Sequence, residues 1–335
     1  MDTMRAVAVT PAAPVDSPDC FVEIELPVPH PGPHDLLVEV EAVSVNPIDF
    51  KTRRAAVGRD EPVVLGFDAA GTVRAVGSEV TDFSVGDPVW HSGQRDRTGS
   101  NARFTLVDHR IAARRPANLT APQAAAMPLT AITAWEALVD HLHLTGDQPF
   151  LMVGGAGGVG SMAIQLARHL TNGPVVATAS RPASQRWCEQ MGATAVIDHR
   201  QDLVAQMRRQ GLDGFPAVLS AYTVGREEVF PSLLAPQGHL VVIDNGNELD
   251  FMAFKDKGLT LTAESMFVRP EKRTPDMAEQ GRILAEVARG VEDGWLRSTA
   301  TTVLTGLSAA TLARATAVLE SGSHIGKVVI DYTQE

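Results

Sequence analysis

The stretch FLMVGGAGGVGSMAIQLARHL, residues 150–170, holds residue types suited to cradling a pyrophosphate. Gly155, Gly157 and Gly160 satisfy G-x-G-x-x-G, with Ala156, Gly158 and Val159 completing the turn. An apolar run precedes them. Val159, Met162, Ala163, Leu166, Ala167 and Leu170 then form one helical face. Glycine lets the backbone turn tightly and approach a phosphate closely, while unpaired N–H groups and the dipole at the helix start favour negative charge. Between a strand and a helix of an alternating α/β domain, such a loop predicts a dinucleotide.

The following strand discriminates between dinucleotides. A NAD site offers Asp or Glu about twenty residues beyond the glycines, accepting from the ribose 2′-hydroxyl. Here the segment reads VVATASRPASQRW: Ser180 and Arg181 occupy that place and no acid appears before Glu189. Arginine forks onto a phosphate with charge-assisted hydrogen bonds, so NADPH is the expected cofactor. His199, at the end of the third strand, is expected to border the adenine side. Metal chemistry has little to draw on. Cys20 and Cys188 are the only cysteines, too few for a four-thiolate zinc site, and His141 and His143 are two apart, so one helix face cannot present both. Both histidines read as surface residues.

The elements that must position these residues follow from periodicity. Up to about residue 120, short alternating segments (MRAVAVT, CFVEIEL, DLLVEVEAVSV, GTVRAVG, DPVWHSG, ARFTLVD) predict a mostly β domain. Residues 120–140 turn helical. Strands are then expected at FLMVGG, PVVATAS, TAVIDH, AVLSAY, HLVVIDN and LTLTAE, with helices between most of them, giving a doubly wound parallel sheet. Beyond about residue 268 two amphipathic helices and a closing strand, GKVVIDY, return to complete the first domain.

Composition sets the outer limits. At 335 residues two domains are the natural division, and 44% hydrophobic with 21% charged residues is ordinary for a globular protein. A formal charge of −11 argues against nucleic acid or an anionic membrane as partner. The N-terminal apolar run is too short for a signal peptide and no run approaches a membrane span, so a cytoplasmic protein is expected.

Six segments occur in the order of a known family: VEAVSVNPIDFKTR, VLGFDAAGTVRAVGSEVTDFSVGDPVW, GSNARFTLVDHRI, MPLTAITAWEAL, VGGAGGVGSMAIQLAR and GKVVID. Over essentially its whole length the chain resembles the medium-chain dehydrogenase/reductase superfamily, in particular the quinone oxidoreductase branch and the zinc-type alcohol dehydrogenase-like subgroup. The resemblance implies a GroES-like β domain from residues 1–122 and 268–335, a Rossmann domain from 123–267, and a cleft where nicotinamide meets substrate. It also implies that Asn46 and Lys51 donate to the substrate oxygen while Asp49 orients Lys51, and that Lys51 or water supplies a proton. Thr133, Ile243 and Asn245 match positions beside the nicotinamide, and Phe67, Trp90 and Phe267 are candidates for an apolar acceptor pocket. A Tyr found in some quinone reductases is replaced by Phe50 and Lys51.

Zinc members of the superfamily carry Cys where this chain has Asn46, Gly-His-Glu where it has Gly66-Phe67-Asp68, and a third ligand near Leu129. Asn, Phe and Leu cannot supply the thiolate, imidazole or carboxylate that zinc requires, and Asp68 alone makes a poor site. Without a Lewis acid, alcohol oxidation loses its main support. Quinones and α,β-unsaturated carbonyls need less, because the charge delivered with hydride is delocalised. The expectation is therefore a zinc-independent, NADPH-dependent reductase of a small-molecule quinone or enone, a homodimer through the open edge at LTLTAESMF. A zinc alcohol dehydrogenase and a non-catalytic NADPH-binding sensor or structural protein are the alternatives.

Overall fold

The computed structural model describes residues 2–10, 17, 20–55, 61–244 and 250–334. The chain divides into two compact units, Met1–Leu129 with Phe267–Glu335, and Thr130–Met266.

In Thr130–Met266 six strands pair in parallel, in the order Ala195–Ile197, Val175–Thr178, Phe150–Val153, Phe215–Ser220, Leu234–Val242, Thr260–Ala263. Numbered along the chain this is 3-2-1-4-5-6, the doubly wound order, in which ligands bind beyond the carboxyl ends where the winding reverses. Phe150–Val153 and Val175–Thr178 are buried at every position, as helices on both faces of a parallel sheet require. Leu151, Val176, Phe215, Val218, Phe230 and Leu240 make the core, each such side chain contributing roughly 1.5–3 kcal/mol when fully buried. Ala195–Ile197 and Thr260–Ala263 are the two edge strands, and Leu261 is exposed on the latter.

In the other unit both ends of the chain build one sheet. Its order is Ala300–Thr305, Lys327–Asp331, Asp35–Ser44, Asp68–Val76, Pro88–His91, Ala112–Arg114, with Phe104–Asp108 also paired to Asp35–Ser44. Thr3–Val9 joins Phe21–Pro27 and Val63–Val64 in a smaller sheet. The helix Ala309–Glu320 packs Leu312, Ala315 and Leu319 onto Val43, Ala69 and Ile330.

Three local results differ from the sequence-based expectation. Ala300–Thr305 is a strand that was not anticipated; it lies at a sheet edge with every second residue exposed, so its apolar signal is weak. The helical run over 120–140 is two helices, Ala121–Ala125 and Pro128–Trp135, because Pro128 cannot continue the first; Thr120 and Gln123 cap that first helix reciprocally. It closes in a π-helical turn, Glu136–His141, whose His141 bonds the carboxylate of Glu264 at 2.8 Å. The third is NPIDFKTR, whose Asn-Pro pair reads in the sequence as a strand stop and turn and which is found as the helix Pro47–Ala55. Proline is tolerated at the first helical position, where no N–H is needed, and the Asp49 carboxylate accepts the Asn46 N–H at 2.8 Å to close the entry.

Candidate active site

The glycine turn in Thr130–Met266 is shaped by contacts that no side chain would survive. A Cβ on Gly155 would lie 2.7 Å from the Ala177 Cβ and 2.9 Å from the Cys188 Sγ, and one on Gly160 would press into the Gly154 carbonyl. Gly157 is less constrained, with only the Gly154 carbonyl oxygen at 3.7 Å. Gly157 caps the helix Gly158–Leu170 without any side-chain hydrogen bond, so the N–H groups of the first turn, from Gly158, Val159 and Gly160, have no side-chain acceptor. The Ser161 hydroxyl donates to the Gly157 carbonyl at 2.7 Å and accepts from the Trp187 indole at 2.8 Å, tying the turn to the next helix. Backbone donors, the close approach and the helix dipole together fit the pyrophosphate of a dinucleotide.

The second and third strands lie side by side, so Ser180 and Arg181 after Val175–Thr178 adjoin His199 after Ala195–Ile197. Arg181 donates to the Ser184 hydroxyl at 3.3 Å, and Arg200 donates to the Ser180 carbonyl. Burial pushes the His199 pKa down, and positive charge from Arg226, Arg200 and Arg181 pushes it further, against the pull of Asp198. Four basic side chains therefore share one neighbourhood. Beside them a pocket of about 580 Å³ is lined by His199, Gly225 and Arg226 among others. Arg200 and Arg226 were missed in the sequence: Arg200 was adjacent to a residue already singled out, whereas nothing local marks Arg226. Thr133 is buried in Pro128–Trp135, and Ile243 follows the fifth strand with its N–H on the Ser220 carbonyl at 3.1 Å. Asn245 lies outside the described residues.

In the other unit a buried polar cluster centres on Asp68. Its Oδ2 accepts from the Ser44 hydroxyl at 2.6 Å, the Asn46 amide at 2.9 Å and the Lys327 ammonium at 3.2 Å, and its Oδ1 accepts from the Leu129 N–H at 2.7 Å. Lys327 also donates to the Asn46 Oδ1, and both Lys327 and Asp68 are almost wholly buried. The remaining Asn46 amide hydrogen goes to the Ser44 carbonyl at 3.3 Å. Asp49 accepts from the Asn46 and Gly66 backbone N–H groups at 2.8 and 3.1 Å. Burial raises its pKa to about 7, aided by the charge of Asp68 and opposed by the two N–H bonds and Lys327.

This geometry revises two sequence-based expectations. Asp49 does not orient Lys51: its oxygens accept the Asn46 and Gly66 backbone N–H groups, and no hydrogen bond or ion pair joins it to Lys51. Asn46 has no amide hydrogen to spare for a substrate, since both are spent within the cluster. Lys51 is half-buried and, among the described residues, makes no hydrogen bond or ion pair. Lys327, absent from the sequence-based candidates, lay in plain view in GKVVID but far from the segment it serves.

The same cluster tests whether zinc fits. The carboxylate of Asp68 already receives four donors, one of them a cation; Leu129 offers only its backbone; Phe67 packs edge to face on Phe267 at 5.2 Å. Among the described residues no three His, Cys, Asp or Glu side chains are grouped to hold a metal. These residues do not fit a zinc ion. Phe267 lies beneath the Arg95 guanidinium, itself paired to Glu271, while Trp90 sits opposite Ala70 and is fully buried.

Residues 32–116 match the alcohol dehydrogenase GroES-like domain, and residues 191–330 match the zinc-binding dehydrogenase domain. A zinc-type alcohol dehydrogenase-like protein of Staphylococcus epidermidis is 36% identical over 98% of this chain and 99% of its own length. The NADPH-dependent alkenal/one oxidoreductase of Arabidopsis thaliana is 33% identical over 56% of this chain and 50% of its own length. Among solved structures, a Rhizobium etli protein named as a candidate zinc-dependent alcohol dehydrogenase superposes with a TM-score of 0.95 at 47% identity over 98% of both chains. A mycobacterial quinone oxidoreductase superposes with a TM-score of 0.83 at 27% identity over 98% of this chain and 99% of its own. The chain belongs to the medium-chain dehydrogenase/reductase superfamily, among the zinc-type alcohol dehydrogenase-like proteins, with a GroES-like domain and a Rossmann-like parallel sheet. No helix among the described residues is long and apolar enough to cross a membrane.

Proposed function

We propose that this oxidoreductase is a zinc-independent, NADPH-dependent reductase that passes hydride to a quinone or an α,β-unsaturated carbonyl. The observation that carries the reading is the Asp68 cluster: the carboxylate is saturated, and its balancing cation is the ammonium of Lys327. Bound NADPH supplies the hydride. The chain's own residues then have to hold the cofactor, position the acceptor and provide a proton. Gly155 to Gly160 take the pyrophosphate, and Ser180, Arg181 and the neighbouring Arg200 and Arg226 take the 2′-phosphate, with His199 toward the adenine. Thr133 and Ile243 border the nicotinamide. Phe67, Phe267 and Trp90 are the apolar residues assigned to the acceptor. Of Asn46, Asp49 and Lys51, the first two hold the entry to the helix Pro47–Ala55, and the proton comes from Lys51, with its ammonium unengaged, or from water.

Conjugated acceptors suit such a site, because positioning and hydrogen-bond donors are enough when the developing charge is spread over a π system. A relative named for NADPH and alkenals or enones, and a structural neighbour named for quinones, support the same substrate class. We further assign the protein to the cytoplasm and to a homodimer formed along Thr260–Ala263, whose exposed edge invites a second copy.

The test is oxidation of NADPH and NADH by chelator-treated protein against quinones, enones and simple aldehydes. Quinone or enone turnover with NADPH, untouched by the chelator, is expected. Activity confined to alcohols or aldehydes and lost to the chelator would sink the reading, and tight NADPH binding with no turnover would point to a binding protein instead.

A further inference from the structure

His91 ends the strand Pro88–His91 and stands across from Ala69, the residue after Asp68. Antiparallel pairing brings Ser44, Asp68 and His91 to one end of the sheet. The imidazole is only 1% exposed, and neither ring nitrogen has a hydrogen-bond partner among the described residues. Native proteins rarely leave both nitrogens of a buried imidazole unused, and such groups call for a ligand or a chemical role. Asp68 is close enough to act on it electrostatically, yet the Asp68 oxygens are taken by Ser44, Asn46, Lys327 and Leu129. Burial brings the ring pKa down to about 4, so at neutral pH His91 is uncharged and carries one N–H donor.

We propose that His91 donates its N–H to the acceptor's carbonyl oxygen, a role that rests on the reductase reading above. When hydride adds to the β-carbon of an enone, a C–H bond forms there and the C=C electron pair shifts toward the oxygen; the acceptor gains two electrons and the nicotinamide loses two. The resulting enolate takes a proton at its α-carbon from Lys51 or water. His91 neither gains nor loses a proton in this sequence. A neutral imidazole in a dry site stabilises the developing oxyanion without first paying for its own desolvated charge.

The experiment compares full-length wild type with His91→Phe and His91→Asn in kcat/KM for an enone and a quinone, alongside the NADPH Kd from protein fluorescence. Loss of one oxyanion donor predicts a fall of about a hundredfold for His91→Phe with little change in NADPH affinity, and a smaller fall for His91→Asn, which restores a donor. Equal activity in His91→Phe, or parallel losses of turnover and NADPH binding, would overturn the proposal. A second measurement covers a variant that does not fold and a wild type that turns over no acceptor. The nitrogen-15 resonances of the His91 ring are followed as p-nitrophenolate, an unreactive oxyanion, is added to wild type with NADP+. A saturable shift supports the assignment and an unmoved resonance rejects it, while wild-type silence toward every acceptor counts against the reductase reading alone.

Discussion

The glycine turn and the Asp68 cluster both present hydrogen-bond donors, and they are assembled in opposite ways. The cradle is one continuous segment, Gly154 to Ser161, whose donors are backbone N–H groups at a helix start. The cluster gathers Ser44 and Asn46, Leu129, and Lys327 from three separate segments, and its charge is its own. An open cradle is complementary to a ligand's charge; a closed cluster has already neutralised its own. The consequence is that substitutions in the cradle are expected to change cofactor binding, and substitutions in the cluster to change stability first.

The largest effect tests the closed cluster. Lys327→Met strands a fully buried carboxylate and is expected to cost about 3–5 kcal/mol in urea unfolding, with much of it recovered in Lys327→Met/Asp68→Asn. A loss below about 1 kcal/mol would mean that the pair is solvated like a surface bridge and that the contrast with the cradle is false.

Next comes pH. Asp49 has a folded pKa raised from 3.8 to about 7, so its contribution to stability is lost as pH rises through that window. His91 has a folded pKa lowered from 6.5 to about 4, so its contribution is lost as pH falls through its own window. Between about pH 4 and 6.5 the two oppose each other, each with a slope of up to about 1.4 kcal/mol per pH unit. Relative to wild type, where the lowered pKa values of His199 and His239 add their own fall toward acid, unfolding free energies should fall more steeply toward acid in Asp49→Asn and less steeply in His91→Phe. Parallel curves for all three would refute the assignment of either group.

A smaller effect sharpens the cradle. Gly160→Ala drives a methyl into the Gly154 backbone and should cost about 1–3 kcal/mol with loss of NADPH affinity, whereas Gly157→Ala meets nothing closer than 3.7 Å and should fold as wild type does. Equal behaviour of the two variants in thermal unfolding and NADPH titration would mean that the turn is not shaped by close approach. The smallest is Arg181→Ala, expected to weaken NADPH about tenfold, roughly 1.4 kcal/mol, with NADH unaffected. Equal losses for both cofactors would remove Arg181 from the 2′-phosphate.

Residues 150–170 alone announced a strand, a glycine turn and a helix, because each signal there is local: apolar run, turn glycines, helical periodicity. The six parallel strands were legible for the same reason, and so was the unsuitability of Asn46, Phe67 and Leu129 as metal ligands, since side-chain chemistry needs no coordinates. Partnership between distant residues was not legible. Lys327 meets Asp68 only because the last strand of the chain pairs with Asp35–Ser44, and Arg226 nears His199 only in the folded Rossmann domain. The entry of NPIDFKTR into a helix turned on whether Asp49 would find the Asn46 N–H, and the isolation of His91 turned on which strands flank it. Composition and period decide which segments can bury which faces; register and sheet order decide which buried polar groups meet, and those are settled only by the packing of the whole chain.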